Sequence, residues 1–246
     1  MMQLQRAFQT VVRVRSYAVV NSKVPLKLKP HFFFLHYIFV HAVCCAVERV
    51  YIDESIQQEF EQKVVDIAKK WKVGNPNDAQ TKVGPMVSQT QRENVSKQVE
   101  ASVKEGAKVL YQSDYPIEAN SNYYPVTVLS SLRQGMSIQT LETFGPVVAL
   151  STFDGTEESA VTLANDTDYG LASYVYTTDL KKGARVARKI RSGQVGINCD
   201  SLAEAQPGCP WVGHKHSGFG SHSGSDGFRS FSVPKSLVFT TNAPKN

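Results

Sequence analysis

The stretch Cys44-Cys45-Ala46-Val47-Glu48-Arg49 leads from a pair of cysteines into the part of the chain where helical and strand patterns alternate. About a hundred residues later the chain carries an acidic turn sequence, Glu142-Thr143-Phe144-Gly145-Pro146. A cysteine thiolate is a strong nucleophile near neutral pH. A carboxylate can accept hydrogen bonds from two hydroxyls of a diol. Together the two stretches make Cys44 a candidate nucleophile and Glu142 a candidate diol-binding group, although a lone cysteine in an apolar run is more often a buried hydrophobic residue.

Outward from these stretches, apolar residues recur with helical spacing in some segments and form short runs rich in Val and Ile in others. Apolar residues from Ile56 to Trp71 share one helical face, and Ser88 with Gln91 has the spacing of a helix N-cap. The predicted helices cover 56–71, 88–105, 157–165 and 180–191, and the predicted strands cover 108–112, 124–129, 147–153, 172–177, 194–199 and 236–241. This alternation predicts an α/β fold built on a parallel sheet.

The composition, with 41% hydrophobic and 20% charged residues, is that of a soluble globular protein. The net charge of +5 comes from residues 1–47, which contain six Lys or Arg and no Asp or Glu. The rest of the chain is nearly neutral, so we expect no nucleic-acid partner. The four cysteines include no Cys-x-x-Cys pair, which argues against a disulfide scaffold or a zinc site and favours a reducing compartment.

The N-terminal segment differs in composition from the rest. Residues 1–29 are basic and free of acid, which is typical of a mitochondrial transit peptide or of a disordered basic tail. Residues 31–47 form an apolar run interrupted by His36 and His41, so a membrane span is not expected. Residues 30–42 have a third interpretation, an artefact of the gene model, because their codons are pyrimidine-rich like the tract before a splice acceptor. We therefore expect residues 1–42 to lie outside the domain and the protein to be mitochondrial or cytoplasmic.

From about Val43 to Phe239 the chain resembles the C-terminal part of the NAD(P)-dependent aldehyde dehydrogenases. Their pattern Gly-Gln-x-Cys-x-Ala-x-x-Arg is matched at Cys44, Ala46 and Arg49 and departs at His41-Ala42. The resemblance implies that Cys44 attacks an aldehyde to give a thiohemiacetal. Hydride would then pass to NAD or NADP, and water would release the acid. It also implies that Glu142 binds the nicotinamide ribose and that Phe144 packs beside the ring.

Further stretches fit the same family. They are Lys72-Val-Gly-Asn-Pro76 with Gly84-Pro85-Met86, Ala164-Asn165-Asp166-Thr167-Asp168-Tyr169-Gly170-Leu171-Ala172, Gly193-Gln-Val195-Gly-Ile-Asn198 and Pro210-Trp211-Val-Gly213-His-Lys215-His-Ser217-Gly218-Phe-Gly220. By this resemblance Trp211 lines the aldehyde tunnel, with Cys199 and Cys45 as further substrate-binding residues. The alternative for Trp211 is a loop residue packed on the core. The chain departs from the family at Trp211, at Val212 and at Ser221-His222, where the family usually has Phe, Gly and Arg-Glu.

Three histidines, His214, His216 and His222, crowd the long loop 207–227, but their spacing is not that of a metal site. The expected domains are 43–235, the catalytic domain, and 236–246, a terminal strand and tail used in oligomerisation. We expect a small aldehyde as substrate and, for the full-length protein, a homo-oligomer.

The family places its general-base Glu and most of its dinucleotide-binding domain before the nucleophile. Residues 1–43 contain no Asp or Glu and no Gly-x-Gly-x-x-Gly loop. The 246-residue chain by itself is therefore expected to oxidise aldehydes inefficiently. Two alternatives stay open: a non-catalytic interaction subunit and a cofactor-free thiol esterase.

Overall fold

The computed structural model describes residues 44–116, 121–199 and 208–239, together with the backbone of residues 16–20. The predictions of a transit peptide and of an apolar run therefore lie largely outside the described residues. None of the helices in the described part is both long and apolar enough to cross a membrane.

Strands and helices alternate along the chain. The strands are β1 (Ser16–Val20), β2 (Val47–Asp53), β3 (Lys108–Gln112), β4 (Thr127–Ser130), β5 (Val147–Phe153), β6 (Tyr169–Gly170), β7 (Ala172–Tyr176), β8 (Gln194–Ile197), β9 (Trp211–Val212), β10 (His214–Lys215) and β11 (Ser221–His222). The α-helices are α1 (Gln57–Ala68), α2 (Gln89–Lys104), α3 (Ser137–Thr140), α4 (Glu157–Asn165), α5 (Leu180–Lys189) and α6 (Gly224–Arg229), and a 3-10 turn, Glu54–Ile56, precedes α1.

Seven strands form one sheet in the order β3-β4-β5-β2-β1-β7-β8. All neighbouring strands are parallel except β3 and β4. The segment between β3 and β4 contains no helix among its described residues, so the chain reverses direction between them. The predicted α/β fold on a parallel sheet is confirmed, and the antiparallel edge strand is its exception.

The helices are capped and packed by local sequence features. Ser88, Thr156 and Asp179 each accept a hydrogen bond from a backbone N–H in the first turn of the helix that follows. Helix α1 turns Phe60, Val64 and Ala68 into the core, as the four-residue spacing requires. The helices cover a sheet whose central strands β2, β5 and β7 are almost wholly buried.

Strand β1 lies at the centre of the sheet, between β2 and β7. Its residues pair in parallel with Val47–Ile52 on one side and with Ala172–Tyr176 on the other. The prediction that residues 1–42 lie outside the domain therefore does not hold for residues 16–20. The segment Ser-Tyr-Ala-Val-Val has the composition of a strand, and charge alone did not distinguish it from its basic surroundings.

The C-terminal end also differs from expectation. Residues 207–227, expected as a long loop, contain three short strands and the start of α6. The predicted strand 236–241 has no strand at its described residues, 236–239, where Leu237, Val238 and Phe239 are exposed. A strand forms only against a partner strand, and within the described chain none pairs with this segment.

The central position of β1 is testable by removing one of its backbone donors. Val19→Pro should lower the free energy of unfolding by about 1–3 kcal/mol, because the N–H groups of a central strand all bond to a neighbouring strand. Urea unfolding measures this change. Val87→Pro, at an exposed position outside the sheet, is the matched control and should shift stability by less than about 0.5 kcal/mol. Equal midpoints for parent and Val19→Pro would mean that residues 16–20 do not belong to the sheet.

Candidate active site

The nucleophile candidate lies in a turn immediately before β2. Cys44 is exposed, whereas Cys45 is buried with 1% of its surface accessible. The backbone at Cys45 is anchored to the sheet, because the Tyr174 hydroxyl on β7 donates a hydrogen bond to the Cys45 carbonyl oxygen at 3.1 Å. The two adjacent thiols therefore have different surroundings, one open to solvent and one enclosed.

The two thiols also affect one another. A hydrogen bond from the Cys45 side chain lowers the pKa of Cys44 to about 6, against the opposing effect of burial, and backbone hydrogen bonds assist. The hydrogen bond to Cys44 raises the pKa of Cys45, and burial raises it further. The Cys44 thiol is thus easier to ionise than an ordinary cysteine, and Cys45, whose pKa is raised, keeps its proton and donates a hydrogen bond to the Cys44 sulfur.

Cys44 opens into a cleft of about 470 Å³. The other lining residues are Leu171, Trp211, Gly213, Ser217, Gly218, Phe219, Gly220, Ser221, His222 and Ser230. The described lining contains no carboxylate, and its acid–base side chains are Cys44 and His222. A cleft of this size, with an aromatic wall and few polar groups, has the character of a small-molecule site.

The aromatic wall is built by a two-stranded ribbon. Strand β9 pairs antiparallel with β11, which places His222 opposite Trp211. Their rings stack with centroids 6.2 Å apart and an interplanar angle of 23°. The ribbon lies close to the sheet, because a Cβ on Gly193 would be 1.7 Å from the Val212 carbonyl oxygen. Only glycine allows this approach at position 193.

Two residues of the Gly-x-Lys-x-Ser-Gly stretch hold this loop in place. The Lys215 ammonium donates to the carbonyl oxygens of Asn165 at 2.9 Å and Thr167 at 2.8 Å. The buried Ser217 hydroxyl accepts from the N–H of Gly170 at 3.0 Å. These contacts attach the cleft wall to the segment that leads into β6 and β7. Lys215 and Ser217 therefore fix the conformation of the loop.

The Glu142–Pro146 turn is fixed by side chains from other elements. Phe144 has a positive φ of 47°, and the Glu48 carboxylate accepts from the N–H groups of Thr143 at 3.3 Å and Phe144 at 2.8 Å. Two successive N–H groups that converge on one anion form a nest. The Glu48 carboxylate thereby holds the turn against β2. Glu48 itself lies four residues after Cys44.

Helix α2 holds the other side of the same turn. Gln91 donates to the Thr143 carbonyl at 2.8 Å, and Gln98 donates to the Glu142 carbonyl at 3.0 Å. Gly145 allows the close packing of α2, since a Cβ there would be 2.7 Å from a Val95 methyl group. The turn is therefore preorganised, and its conformation does not depend on a ligand.

Arg49 is fully buried and connects the nucleophile strand to two other parts of the site. Its guanidinium donates to the Gln139 carbonyl at 2.7 Å and to the Thr167 hydroxyl at 3.1 Å. The Thr167 carbonyl is one of the two acceptors of Lys215. Arg49 and Lys215 therefore both donate hydrogen bonds to Thr167. This shared residue connects β2 to the loop that carries Trp211.

The sequence-predicted site residues do not all meet in one place. Cys44 and Trp211 line the cleft, whereas Cys45 lies beneath Cys44 and is not part of the lining. Cys199 is also absent from the lining, and its carbonyl accepts from the Tyr176 hydroxyl at 2.8 Å. Glu142 and Phe144 lie on the turn bonded to Glu48, outside the lining of this cleft.

Sequence reasoning missed Glu48, Gln91 and Gln98 as residues that hold the turn, and it assigned no role to His222, which is exposed and belongs to the cleft lining. Only Glu48 carried a usable signal, because it lies inside the Cys44–Arg49 stretch. For metals, the described part of the chain brings together no group of three His, Cys, Asp or Glu side chains that could hold an ion.

The sequence pattern of the Aldehyde dehydrogenase family matches residues 33–237. Betaine aldehyde dehydrogenase of Bacillus subtilis is 38% identical over 212 residues, which cover 84% of this chain and 43% of that protein. Succinate-semialdehyde dehydrogenase [NADP(+)] 2 of Schizosaccharomyces pombe is 37% identical over 199 residues, covering 81% of this chain and 40% of that protein. The chain thus spans less than half the length of these relatives.

Solved structures of aldehyde dehydrogenases also match the chain over less than half of their own length. The crystal structure of betaine aldehyde dehydrogenase from Staphylococcus aureus in complex with NAD+ superimposes with a TM-score of 0.84 at 32% identity. The match covers 94% of this chain and 46% of that chain. The NAD-dependent aldehyde dehydrogenase of Sinorhizobium meliloti matches with a TM-score of 0.83 at 30% identity, over 95% of this chain and 46% of that one.

The paired thiols generate a prediction about pH. The rate of Cys44 alkylation by iodoacetamide should rise with pH and reach half its maximum near pH 6, because only the thiolate reacts. Cys45→Ala removes the hydrogen-bond donor and should move that midpoint up toward the ordinary cysteine value of about 8.5. Peptide-resolved mass spectrometry measures each cysteine separately. Cys209→Ala, which removes an exposed cysteine elsewhere, should leave the midpoint unchanged. A midpoint that Cys45→Ala does not move would contradict the paired-thiol interpretation.

Proposed function

This chain belongs to the aldehyde dehydrogenase family, and from that premise we propose that Cys44 is the nucleophile of an NAD(P)-dependent oxidation of aldehydes to carboxylic acids. The observation that carries the proposal is the exposed Cys44 thiol, with its lowered pKa, in the wall of a cleft of about 470 Å³. A nucleophile needs a lowered pKa, access to substrate and a fixed backbone, and Cys44 has all three.

The reaction begins with attack of the Cys44 sulfur on the aldehyde carbonyl carbon, which gives a thiohemiacetal. NAD or NADP, when bound, supplies the acceptor for the hydride that leaves this carbon. The product is a thioester on Cys44, and attack by water on its carbonyl breaks the carbon–sulfur bond and releases the acid. The low pKa of Cys44 also favours this last step, because the sulfur leaves as a thiolate.

Glu142 and Phe144 are proposed to hold the nicotinamide end of the cofactor. The residues present suit this role: the turn is fixed by Glu48, Gln91 and Gln98, so its side chains are positioned in advance. A carboxylate suits a ribose diol, and a half-buried aromatic ring suits a planar heterocycle. The name of the Staphylococcus aureus structure, in complex with NAD+, supports NAD as the cofactor.

The proposed substrate class rests on the cleft wall and on the names of the relatives. The wall contains the Trp211 indole, and an aromatic face attracts a cation through a cation–π interaction. The relatives named betaine aldehyde dehydrogenase and aminoaldehyde dehydrogenase carry names consistent with this class. We therefore propose that the aldehyde bears an ammonium group and that Trp211 contacts it.

We also propose that the 246-residue chain by itself oxidises aldehydes slowly. Its first 43 residues contain no carboxylate to act as base, and the sequence contains no Gly-x-Gly-x-x-Gly loop to hold a dinucleotide. A mitochondrial or cytoplasmic location stays a prediction from the composition of residues 1–29.

The proposal is tested on the purified chain with betaine aldehyde and with succinate semialdehyde. The cationic aldehyde should protect Cys44 from alkylation more strongly, because the thiohemiacetal occupies the thiol and Trp211 favours a cation. NADH or NADPH should form slowly and only with Cys44 present, as absorbance at 340 nm will report. Cys209→Ala, which removes an exposed cysteine outside the cleft lining, is the matched control and should retain protection, whereas Cys44→Ser should lose NADH formation. No protection by either aldehyde would contradict the role of Cys44, and rapid Cys44-dependent NADH formation would contradict the expected slow turnover.

Our second proposal is that the protein forms an oligomer, and one observation supports it. The C-terminal part exposes a set of large apolar side chains: Phe228, Phe231, Val233, Leu237, Val238 and Phe239, each at least 70% accessible. An exposed apolar segment of this kind is typical of a surface that another chain covers. The segment 236–246 is therefore proposed to pair with another subunit, which also suits a non-catalytic interaction subunit.

Sedimentation equilibrium tests this surface. The parent chain should behave as a dimer or larger species, and Leu237→Asp should shift it to monomer, because a charge in an apolar interface is costly. Val87→Asp is the control, since Val87 is 88% exposed on a different part of the fold. A parent chain that stays monomeric at every concentration would contradict the proposal.

A further inference from the structure

A second pocket lies between the end of α1 and the end of β3 and shares no lining residue with the cleft around Cys44. Its volume is about 380 Å³, which is the size of a small-molecule site. Neither the proposed reaction nor the proposed oligomer uses it. We call it the lysine pocket, and its lining residues are Lys69, Lys70, Trp71, Lys72, Val73, Tyr111, Ser113, Asp114, Tyr115 and Pro116.

Three aromatic side chains give the lysine pocket a wall that the core holds in place. Trp71, Tyr111 and Tyr115 are half-buried and pack against the buried hydrophobic core. The chain after β3 is fixed at Ser113, whose N–H donates to the Val126 carbonyl at 2.9 Å and whose hydroxyl accepts from the Val126 N–H at 3.0 Å. Aromatic side chains that are already held in position suit the stacking of a planar ring.

The lysine pocket also carries a positive charge. Lys69, Lys70 and Lys72 are all exposed, and the described lining sets these three ammonium groups against one carboxylate, that of Asp114. The three lysines lie within four successive positions directly after α1, so their charges add at one side of the pocket. A concentration of like charge of this kind attracts an anion that carries more than one negative charge.

The ammonium groups remain available to such an anion. Lys72 pairs with Asp78 at 2.7 Å and Lys69 pairs with Asp66 at 3.9 Å, and all four side chains are exposed to solvent. Exposed ion pairs contribute little to stability, so a ligand can compete for these two lysines. Lys70 makes no ion pair with any residue that the structure describes.

We propose that the lysine pocket binds a nucleoside phosphate, with the base on the aromatic wall and the phosphate at the lysines. A phosphate suits the site better than a carboxylate, because it offers more charge and more acceptor oxygens to three ammonium groups. Asp114 can accept hydrogen bonds from the ribose hydroxyls. The site uses none of the residues of the proposed reaction, so its failure would leave the proposed function standing.

Trp71 itself reports on this site. The chain contains two tryptophans, so Trp211→Phe leaves Trp71 as the one that emits. Magnesium-free ADP added to the 246-residue Trp211→Phe chain should quench this emission to saturation, because a stacked base quenches an indole. Isothermal titration calorimetry of the parent chain with ADP should give the same affinity. A chain that shows neither saturable quenching nor heat of binding overturns the inference.

Two simpler ligands test the two halves of the site separately. Adenosine lacks the phosphates and pyrophosphate lacks the ring, so each should bind at least about tenfold more weakly than ADP, the loss of one set of contacts. Competition with ADP measures pyrophosphate, which has no ring to quench the indole. Pyrophosphate that binds as tightly as ADP would mean that the ring is not recognised, and adenosine that binds as tightly would mean that the lysines take no part. Either result overturns the inference.

A charge reversal locates the site on the chain. Lys70→Glu should weaken ADP binding by about tenfold or more, because it replaces attraction by repulsion at an exposed position where the fold does not depend on the side chain. Lys97→Glu makes the same change at an exposed position on α2 and should retain the parent affinity. Glu142→Gln, in the proposed cofactor turn, should retain it too. Equal ADP affinity in the Lys70→Glu and Lys97→Glu variants, or loss of binding in Glu142→Gln, overturns the inference.

Discussion

Two adjacent side chains on β2, Glu48 and Arg49, set the geometry of the whole site. Successive residues of a strand point to opposite faces of the sheet, so these two reach in different directions from one backbone. Glu48 binds the turn at Thr143 and Phe144, and Arg49 binds Gln139 and Thr167. A hydrogen bond between a charged side chain and a neutral partner typically contributes about 1.5–3 kcal/mol. The strand that follows Cys44 therefore also positions the proposed cofactor turn and, through Thr167, the cleft wall.

Much of the fold was predictable because its signals are local. The ranges 108–112, 147–153 and 157–165 were predicted with the bounds that the structure has. The caps explain the helices: each of Ser88, Thr156 and Asp179 satisfies an N–H that the helix cannot satisfy itself. The Cys44 and Glu142–Pro146 stretches likewise identified the family from their order along the chain, without any knowledge of tertiary contacts.

The features that the sequence did not predict depend on contacts between residues that are far apart along the chain. Strand β1 exists because of partners at Val47–Ile52 and Ala172–Tyr176, and nothing in its own five residues specifies them. The stack of Trp211 on His222 arises from the pairing of β9 with β11 across a loop that gave no periodic signal. Cys45, which the resemblance implies to bind substrate, is buried beside the exposed Cys44 and donates a hydrogen bond to the Cys44 sulfur.

The central position of β1 has a consequence for how the chain folds during synthesis. Its two neighbours in the sheet are far apart in sequence, since Ser16 pairs with Val47 on one side and with Ala172 on the other. Pairings of such high contact order form slowly, because a long loop must close before they contribute any stability. On the ribosome β1 emerges before both of its partners, and the edge that pairs with β7 stays open until β7 has been made. During that interval the nascent chain exposes an unpaired strand edge, which is the kind of surface that molecular chaperones shield.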